Sequence, residues 1–166
     1  MKIAIGYKLN DGPWGGGNQF AISLTKKLKE DGHDVFFNLS RSDLDIILLT
    51  DPRKRSSYVS FGPGDIIKYL IFKNSKALVI HRINECDERK KTLHMNFLLR
   101  LANYSADHTI FIASWLKNLN LTQKKAKYSV ILNGGNKKLF NLRNNVKWDK
   151  KEPLKLVTHH WGGNHM

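Results

Sequence analysis

The chain has 166 residues, with 28 Lys and Arg against 14 Asp and Glu, a formal net charge of +14, and a single cysteine, Cys86. That length is about one domain, which buries roughly 70% of its unfolded surface, and a hydrophobic fraction of 41% argues for a packed core rather than disorder. One thiol excludes an internal disulfide and fits a reducing compartment. The longest apolar runs, such as IILL and LVI, fall far short of the roughly 20 residues that a bilayer-spanning helix needs. The opening, MKIAIGYKLNDG, is not a convincing secretory signal, so a cytoplasmic protein is expected. The charge favours anionic partners: phosphorylated small molecules, an acidic membrane surface or nucleic acid. Its lysines are scattered through KKLK, RKR and KKAK, however, and a well-solvated Lys-rich surface explains them equally well. No nucleic-acid-binding signature is present, and nucleic acid is not an expected partner.

Strand and helix patterns alternate along the chain. KIAIGY (2–7) reads as a short buried strand, and 17–31 as a helix with Phe20, Leu24 and Leu28 at four-residue spacing, closed by Gly32. DVFFNL (34–39) and DIILLT (45–50) are further strands. A loop follows, bounded by Pro52 and by Pro63 and Gly64. DIIKYLIF (65–72) predicts a short helix, although its pattern also admits a strand. KALVIH (76–81) is a strand. Residues 92–105 predict a helix carrying Leu93, Phe97, Leu101 and Tyr104 on one face. HTIFIA (108–113) and YSVIL (128–132) are strands separated by the short helical SWLKNL. Continuous apolar strands alternating with helices imply an α/β, doubly wound, mainly parallel sheet. Residues 136–153, polar and closed by Pro153, predict a linker. LKLVTHH and WGGNHM (154–166) then open like another strand and Gly turn, so the chain is expected to be a fragment that enters a second domain.

GPWGGGNQF (12–20) joins the first strand to the first helix with three consecutive glycines. A triphosphate P-loop is excluded because no Gly-Lys-Ser/Thr occurs. A dinucleotide fingerprint is disfavoured because Phe20 stands where the third Gly belongs and no acid closes the second strand. Two readings stay open: a long turn with no ligand, and a strand-to-helix loop whose bare amides approach a sugar phosphate.

Four stretches in register carry a family likeness over essentially the whole chain. GGGNQFAISLTKKLKEDGHDVFF resembles the opening of the retaining GT-B glycosyltransferases of family 4, which commonly read Gly-Gly, a helix, then Gly-His-x-Val. VIHRINECDERK (79–90) is similar to a strand-and-loop segment in a subset of those enzymes. VILNGGNKKLF (130–140) resembles their Val-Ile-x-Asn-Gly-x-Asp-x-x-x-Phe signature, with Asn136 in place of Asp, and LVTHHWGGN (156–164) resembles the start of their second domain. The resemblance implies two facing Rossmann-like domains, the first binding mainly the acceptor. The second would hold most of a nucleotide-sugar donor through features that include a Glu-x7-Glu motif. Glu30, Glu85, Glu88 and Glu152 are the only glutamates and no two are eight apart, so that motif is absent.

From this come the candidate residues. Gly16 and Gly17 would face the donor phosphates, the alternative being a tight turn, and Gly162 and Gly163 would form the second domain's equivalent loop. His81 ends its strand, where ligands gather in open sheets; the resemblance implies a histidine near here beside the donor sugar, which makes it the catalytic candidate. The plainer reading is a His bonded to nearby backbone. Trp14, Arg82, Asn84, Asp87 and Arg89, with Lys90, would bind an acceptor hydroxyl or anion, or be solvated and internally paired. Ser114 reads as a helix N-cap, the alternative being a residue that lines the cleft, and Asn133 and Gly134 read as a turn. His159, His160 and His165 fit no metal spacing, so no metal is expected. The implied partners are a nucleotide sugar as co-substrate, a glycan or lipid-linked hydroxyl acceptor, and a further domain, with peripheral membrane contact left open. The alternative is a non-catalytic basic module on an anionic polymer or membrane, which salt would weaken steeply.

Overall fold

A computed structural model of the chain describes residues 1–12, 14–123, 126–135, 150, 151 and 153. The chain divides into two compact units, Met1–Asn133 and Gly134–Met166. The linker expected over 136–153 falls almost wholly outside the described residues, and the strand and Gly turn over 154–166, with Gly162, Gly163 and the three histidines, entirely so.

The first unit is an α/β, doubly wound fold of the Rossmann-like kind. Its strands are β1 (Lys2–Ile5), β2 (Asp34–Phe36), β3 (Ile46–Leu49), β4 (Leu78–Ile83), β5 (His108–Phe111) and β6 (Lys127–Val130). They form one sheet of order β2-β1-β3-β4-β5-β6, and every neighbouring pair is parallel. Parallel neighbours cannot be joined by hairpins, so helices cross over between them. Helix α1 (Gly15–Glu30) packs Ala21, with Phe20, Leu24 and Leu28, on Ile3, Ile5 and Leu48. The opposite face takes α2 (Pro63–Phe72), whose Ile66 and Tyr69 pack on Ala4, Ile47, Leu49 and Val79. Beside it lies α4 (Met95–Ala102), whose Met95 and Leu99 pack on Ile83 and Phe111. A single turn, α3 (Asp87–Lys90), precedes α4, and 3-10 turns cover Asn103–Ser105 and Ser114–Leu119. Among the described residues no helix is long and apolar enough to cross a membrane.

The predicted elements form, with shifted ends. Helix α1 stops where expected: Gly32 takes φ +78°, a left-handed conformation that favours glycine. Helix α2 begins two residues early, since Pro63 sits in its first turn and the Asp65 carboxylate accepts the Gly62 N–H at 3.0 Å. Strand β4 runs to Ile83, two residues beyond the expected end at His81. The loop expected at 87–90 is helical. Ser114 does not cap its turn: it is the first residue within it, Ala113 holds the cap position, and no side chain bonds there. Of the expected stripe, Leu93 precedes α4 and Tyr104 lies in the 3-10 turn after it, and Leu93, Phe97, Leu101 and Tyr104 all face solvent, at 98, 68, 56 and 73% exposure. The helix buries Met95, Leu99 and Ala102 instead.

Gly6 closes β1 tightly. Its N–H donates to Leu48 O at 2.8 Å, and its carbonyl accepts from the Thr50 hydroxyl at 2.8 Å. A Cβ placed there would lie 3.0 Å from Phe61 Cε2 and 3.1 Å from Leu48 O. Gly6→Ala is therefore expected to destabilise the fold by about 1–3 kcal/mol, read as a lowered urea midpoint with an unchanged slope. An unshifted midpoint would show that the backbone yields there without cost.

Candidate functional site

Strand β1 pairs on both sides, with β2 and with β3. The chain leaves β1 for β2 on one side and later returns on the other, so the topological switch point lies between β1 and β3. In open parallel sheets ligands gather at the carboxyl ends of the strands at such a point. Here that place is built by Tyr7 after β1, Thr50 and Asp51 after β3, and the Gly15–Gly17 start of α1.

The three glycines do different things. Gly15 takes φ +82°, which turns the chain into the helix. Gly17 lies against Tyr7, and a Cβ there would come within 3.2 Å of the Tyr7 hydroxyl. Gly16 is exposed and a Cβ there would meet nothing within 4 Å. Of the two glycines expected to face phosphates, one is therefore open and the other is covered by a tyrosine ring. Helix α1 has no acidic residue in its first turn and no side-chain cap, so its first amides keep their partial positive charge. Asn18 fastens the loop to the helix: its Oδ1 accepts the Asn10 N–H at 3.0 Å and its Nδ2 donates to Asn10 O at 2.7 Å. Trp14 stands at the N-cap position, 64% exposed, with its indole N–H donating to Asp11 O at 2.8 Å.

Beside Tyr7 lies a charge cluster that sequence reading missed. Arg53 donates from Nε and Nη2 to the two oxygens of Asp51, at 3.0 and 2.6 Å, and from Nη2 to Glu85 at 3.0 Å and the Tyr58 hydroxyl at 2.8 Å. Lys90 approaches Glu85 at 3.3 Å. Tyr58 stacks on Tyr7 with centroids 5.7 Å apart. Burial, then the charge of Asp51, raises the pKa of both phenols above the ordinary value, so both stay neutral. Arg53 is held charged by its hydrogen bond to Asp51. Asp51 follows the apolar run of β3 by one residue, Thr50, a position at the carboxyl edge that was readable. Glu85 lies 32 positions from Arg53, and no local pattern joins them.

The remaining expected residues separate. Asp87 caps α4: its oxygens accept the Met95 and Asn96 N–H groups at 2.8 and 2.9 Å and the Thr92 hydroxyl. Burial pushes its carboxyl up, but these hydrogen bonds outweigh that and hold it below the ordinary range. Asp87, expected among the acceptor-binding residues, is thus engaged in holding the start of α4. Arg89 is exposed and donates to Asn84 O at 3.0 Å, while Asn84 itself is half-buried. Arg82 is the unexpected case. It is 6% exposed, its guanidinium carbon lies 3.7 Å from the Phe20 ring centroid, and its Nη2 donates to Asn133 Oδ1 at 2.9 Å. Asn133, expected to be a simple turn residue, holds that guanidinium. Burial lowers the Arg82 pKa to about 10.

His81 is on the other face of β4 and wholly buried. It does not end the strand, and in this structure it does not reach the carboxyl-edge surface. Its Nδ1 lies 2.9 Å from Asn103 Oδ1, which also accepts from the Thr109 hydroxyl, while Asn103 Nδ2 donates to Leu121 O. An acceptor facing Nδ1 puts the proton of the neutral ring there, leaving Nε2 without a partner among the described residues. Two surface depressions lie at the opposite, amino edge of the sheet. One is lined by Lys29, Gly32, His33, Asp34, Val35 and Phe36, and the other lies between Ser75–Leu78 and Tyr104–Asp107. Among the described residues no group of three or more His, Cys, Asp or Glu could hold a metal ion.

The His81 ring titrates at about 4 in the folded chain, against an ordinary 6.5, chiefly because burial opposes its charging. The unfolded chain therefore takes up a proton below pH 6.5 that the folded chain refuses until about 4. Stability is full above the upper value and falls by roughly 3 kcal/mol on reaching the lower. His81→Leu, which leaves Asn103 Oδ1 its Thr109 donor, is expected to lose much less between pH 7 and pH 4.5 in urea unfolding. Equal losses in the two proteins would show that the ring is not held neutral.

No family model, curated protein or solved structure matches this chain.

Proposed function

We propose that the first unit is the acceptor-side domain of a cytoplasmic retaining glycosyltransferase of GT-B architecture, moving a hexose from a nucleoside-diphosphate sugar to a hydroxyl. The observation that carries this reading is the open β1–α1 turn at the switch point. Gly16 faces free space, and the helix behind it has uncapped amides and no first-turn acid. A diphosphate is favoured there by both the dipole and the accessible N–H groups. The exposed Trp14 indole stands beside the turn and offers a flat apolar surface to a saccharide. The resemblance of residues 130–140 and 156–164 to the family's later segments adds support, and in that family a second domain holds most of the donor.

In such a reaction the glycosidic carbon passes from the diphosphate oxygen to the acceptor oxygen with its configuration retained. The protein's part is to hold the two partners in line and to stabilise charge on the departing diphosphate. On this chain, the amides at Gly16 and the first turn of α1 would do the second task. Tyr7 and Tyr58, neutral and stacked, would wall the opening, and the Asp51–Arg53–Glu85 cluster would fix their positions. Cationic side chains can carry the charge that a divalent ion carries in other transferases, so no metal is required by this scheme.

Because a side chain at Gly16 meets no neighbour, Gly16→Leu is expected to fold as the parent does. It should weaken binding of nucleoside-diphosphate sugars at least tenfold by calorimetry, and abolish the amide shifts they cause over residues 15–18. If no sugar nucleotide in a panel perturbs that turn, or if Gly16→Leu binds as the parent does, the reading fails. Binding that ignores Gly16 and disappears with salt would point instead to the basic-module alternative that the +14 charge allows.

A further inference from the structure

Among the described residues, the carboxyl edge holds one buried cation without a counter-ion. Arg53 is neutralised by Asp51 and Glu85, and Lys90 by Glu85. Asp87 is committed to α4, and Glu88 accepts from Asn96. Arg82 is more buried than any of these, yet its one hydrogen bond among the described residues is to the neutral amide of Asn133. The stacking on Phe20 orients the guanidinium plane and adds a modest attraction, but supplies no negative charge. Removing a charge from water costs several kcal/mol unless an opposite charge and further hydrogen bonds replace the solvent. A guanidinium has five N–H donors in a rigid fork, and one of them accounts for Asn133.

We infer that Arg82, held by Phe20 and Asn133, is an anion receptor whose ligand is a phosphoryl oxyanion. This rests on the reading of the carboxyl edge as the ligand-binding edge and adds the chemical group that is gripped there. Three placements support a phosphate. Arg82 is the penultimate residue of β4, so it stands at the strand end where ligands bind. It points to the α1 side of the sheet, since it lies on Phe20 in the second turn of that helix. The same helix begins with open amides and no acid, so no carboxylate of its own competes for the guanidinium. A fork of N–H donors matches two oxygens of one phosphate. The phosphate can come from the diphosphate of a sugar nucleotide or from a phosphorylated acceptor, and the two are separable by titration.

The probe is inorganic pyrophosphate, titrated into the 166-residue chain at constant ionic strength with acetate as a carboxylate control. The Arg82 Nε–H resonance should move with pyrophosphate and not with acetate, and the melting temperature should rise as expected for a ligand of the folded state. Arg82→Met, which keeps the apolar stem over Phe20, should lose that rise while melting no lower than the parent without ligand. Arg82→Lys should retain charge but bind at least tenfold more weakly. A silent Arg82 resonance, an equal response to acetate, or an Arg82→Met protein that still responds would overturn the inference; the resonance decides it even if the variants do not fold. Uridine and guanosine diphosphates against glucose 6-phosphate then identify the source, the one that moves Arg82 at the lower concentration being the physiological class. If pyrophosphate acts through Arg82 while no sugar nucleotide perturbs Gly16, the receptor stands and the glycosyltransferase reading falls. If sugar nucleotides bind at Gly16 with Arg82 silent, the reverse holds.

Discussion

Strand β1 is the constraint on which the rest of this fold depends. It is bonded on both edges, and its three inner residues are almost fully removed from solvent. Because β2 lies on one side and β3 on the other, the crossovers leave in opposite directions and put α1 on one face of the sheet and α2 and α4 on the other. The two sets of loops diverge at the carboxyl end of β1 and leave an opening between them. Gly6 matters for the same reason. Its backbone is clamped between Leu48 O and the Thr50 hydroxyl, and this brings the end of β3, with Asp51, level with the end of β1. A side chain at that position would push apart the two strands that define the opening.

Charge is distributed around this opening by burial rather than by number. The chain has twice as many basic as acidic residues, yet the acids at the carboxyl edge cluster on Arg53, Lys90 and the start of α4. Exposed ion pairs such as Lys27 with Asp31 contribute little, because water screens them and two long side chains must be ordered. The Arg53 cluster is partly buried and connects β3, the following loop and the segment after β4, so it acts as a tie between elements. Arg82, on the α1 face of β4, receives none of this. The contrast between a cation shared by two carboxylates and another that faces only an amide separates a structural arginine from one that lacks its counterpart.

Much of the fold was legible in the chain. Apolar runs such as IAI and IILL are long enough for a strand and too short for a helix, and their alternation with amphipathic segments specifies a parallel sheet. What periodicity does not say is which apolar side of a helix turns inward. In α4 both sides are apolar, and Met95 and Leu99 fill the space over Ile83 and Phe111, leaving Phe97 and Leu101 outside. The candidate site was legible where a single loop builds it, at the β1–α1 turn, and illegible where distant segments meet. The Arg53–Glu85 contact and the Arg82–Asn133 bond span 32 and 51 positions. His81 shows a third kind of failure. The strand continues two residues past it, and alternation then points its ring into the core, opposite to Arg82.

The run of glycines can now be divided by physical cause. Gly15 is required by a positive φ, and Gly17 by a tyrosine hydroxyl where a Cβ would have to fit. Both would be glycines in a protein that bound nothing. Gly16, the second residue of α1, has no positive φ and has open space around it. Neither conformation nor packing accounts for it. A glycine with neither reason, beside uncapped amides at the strand edge where the topology opens, is the position that the proposed ligand would approach most closely. That places the weight of the functional reading on one glycine rather than three, and on the face of the sheet that Arg82 shares.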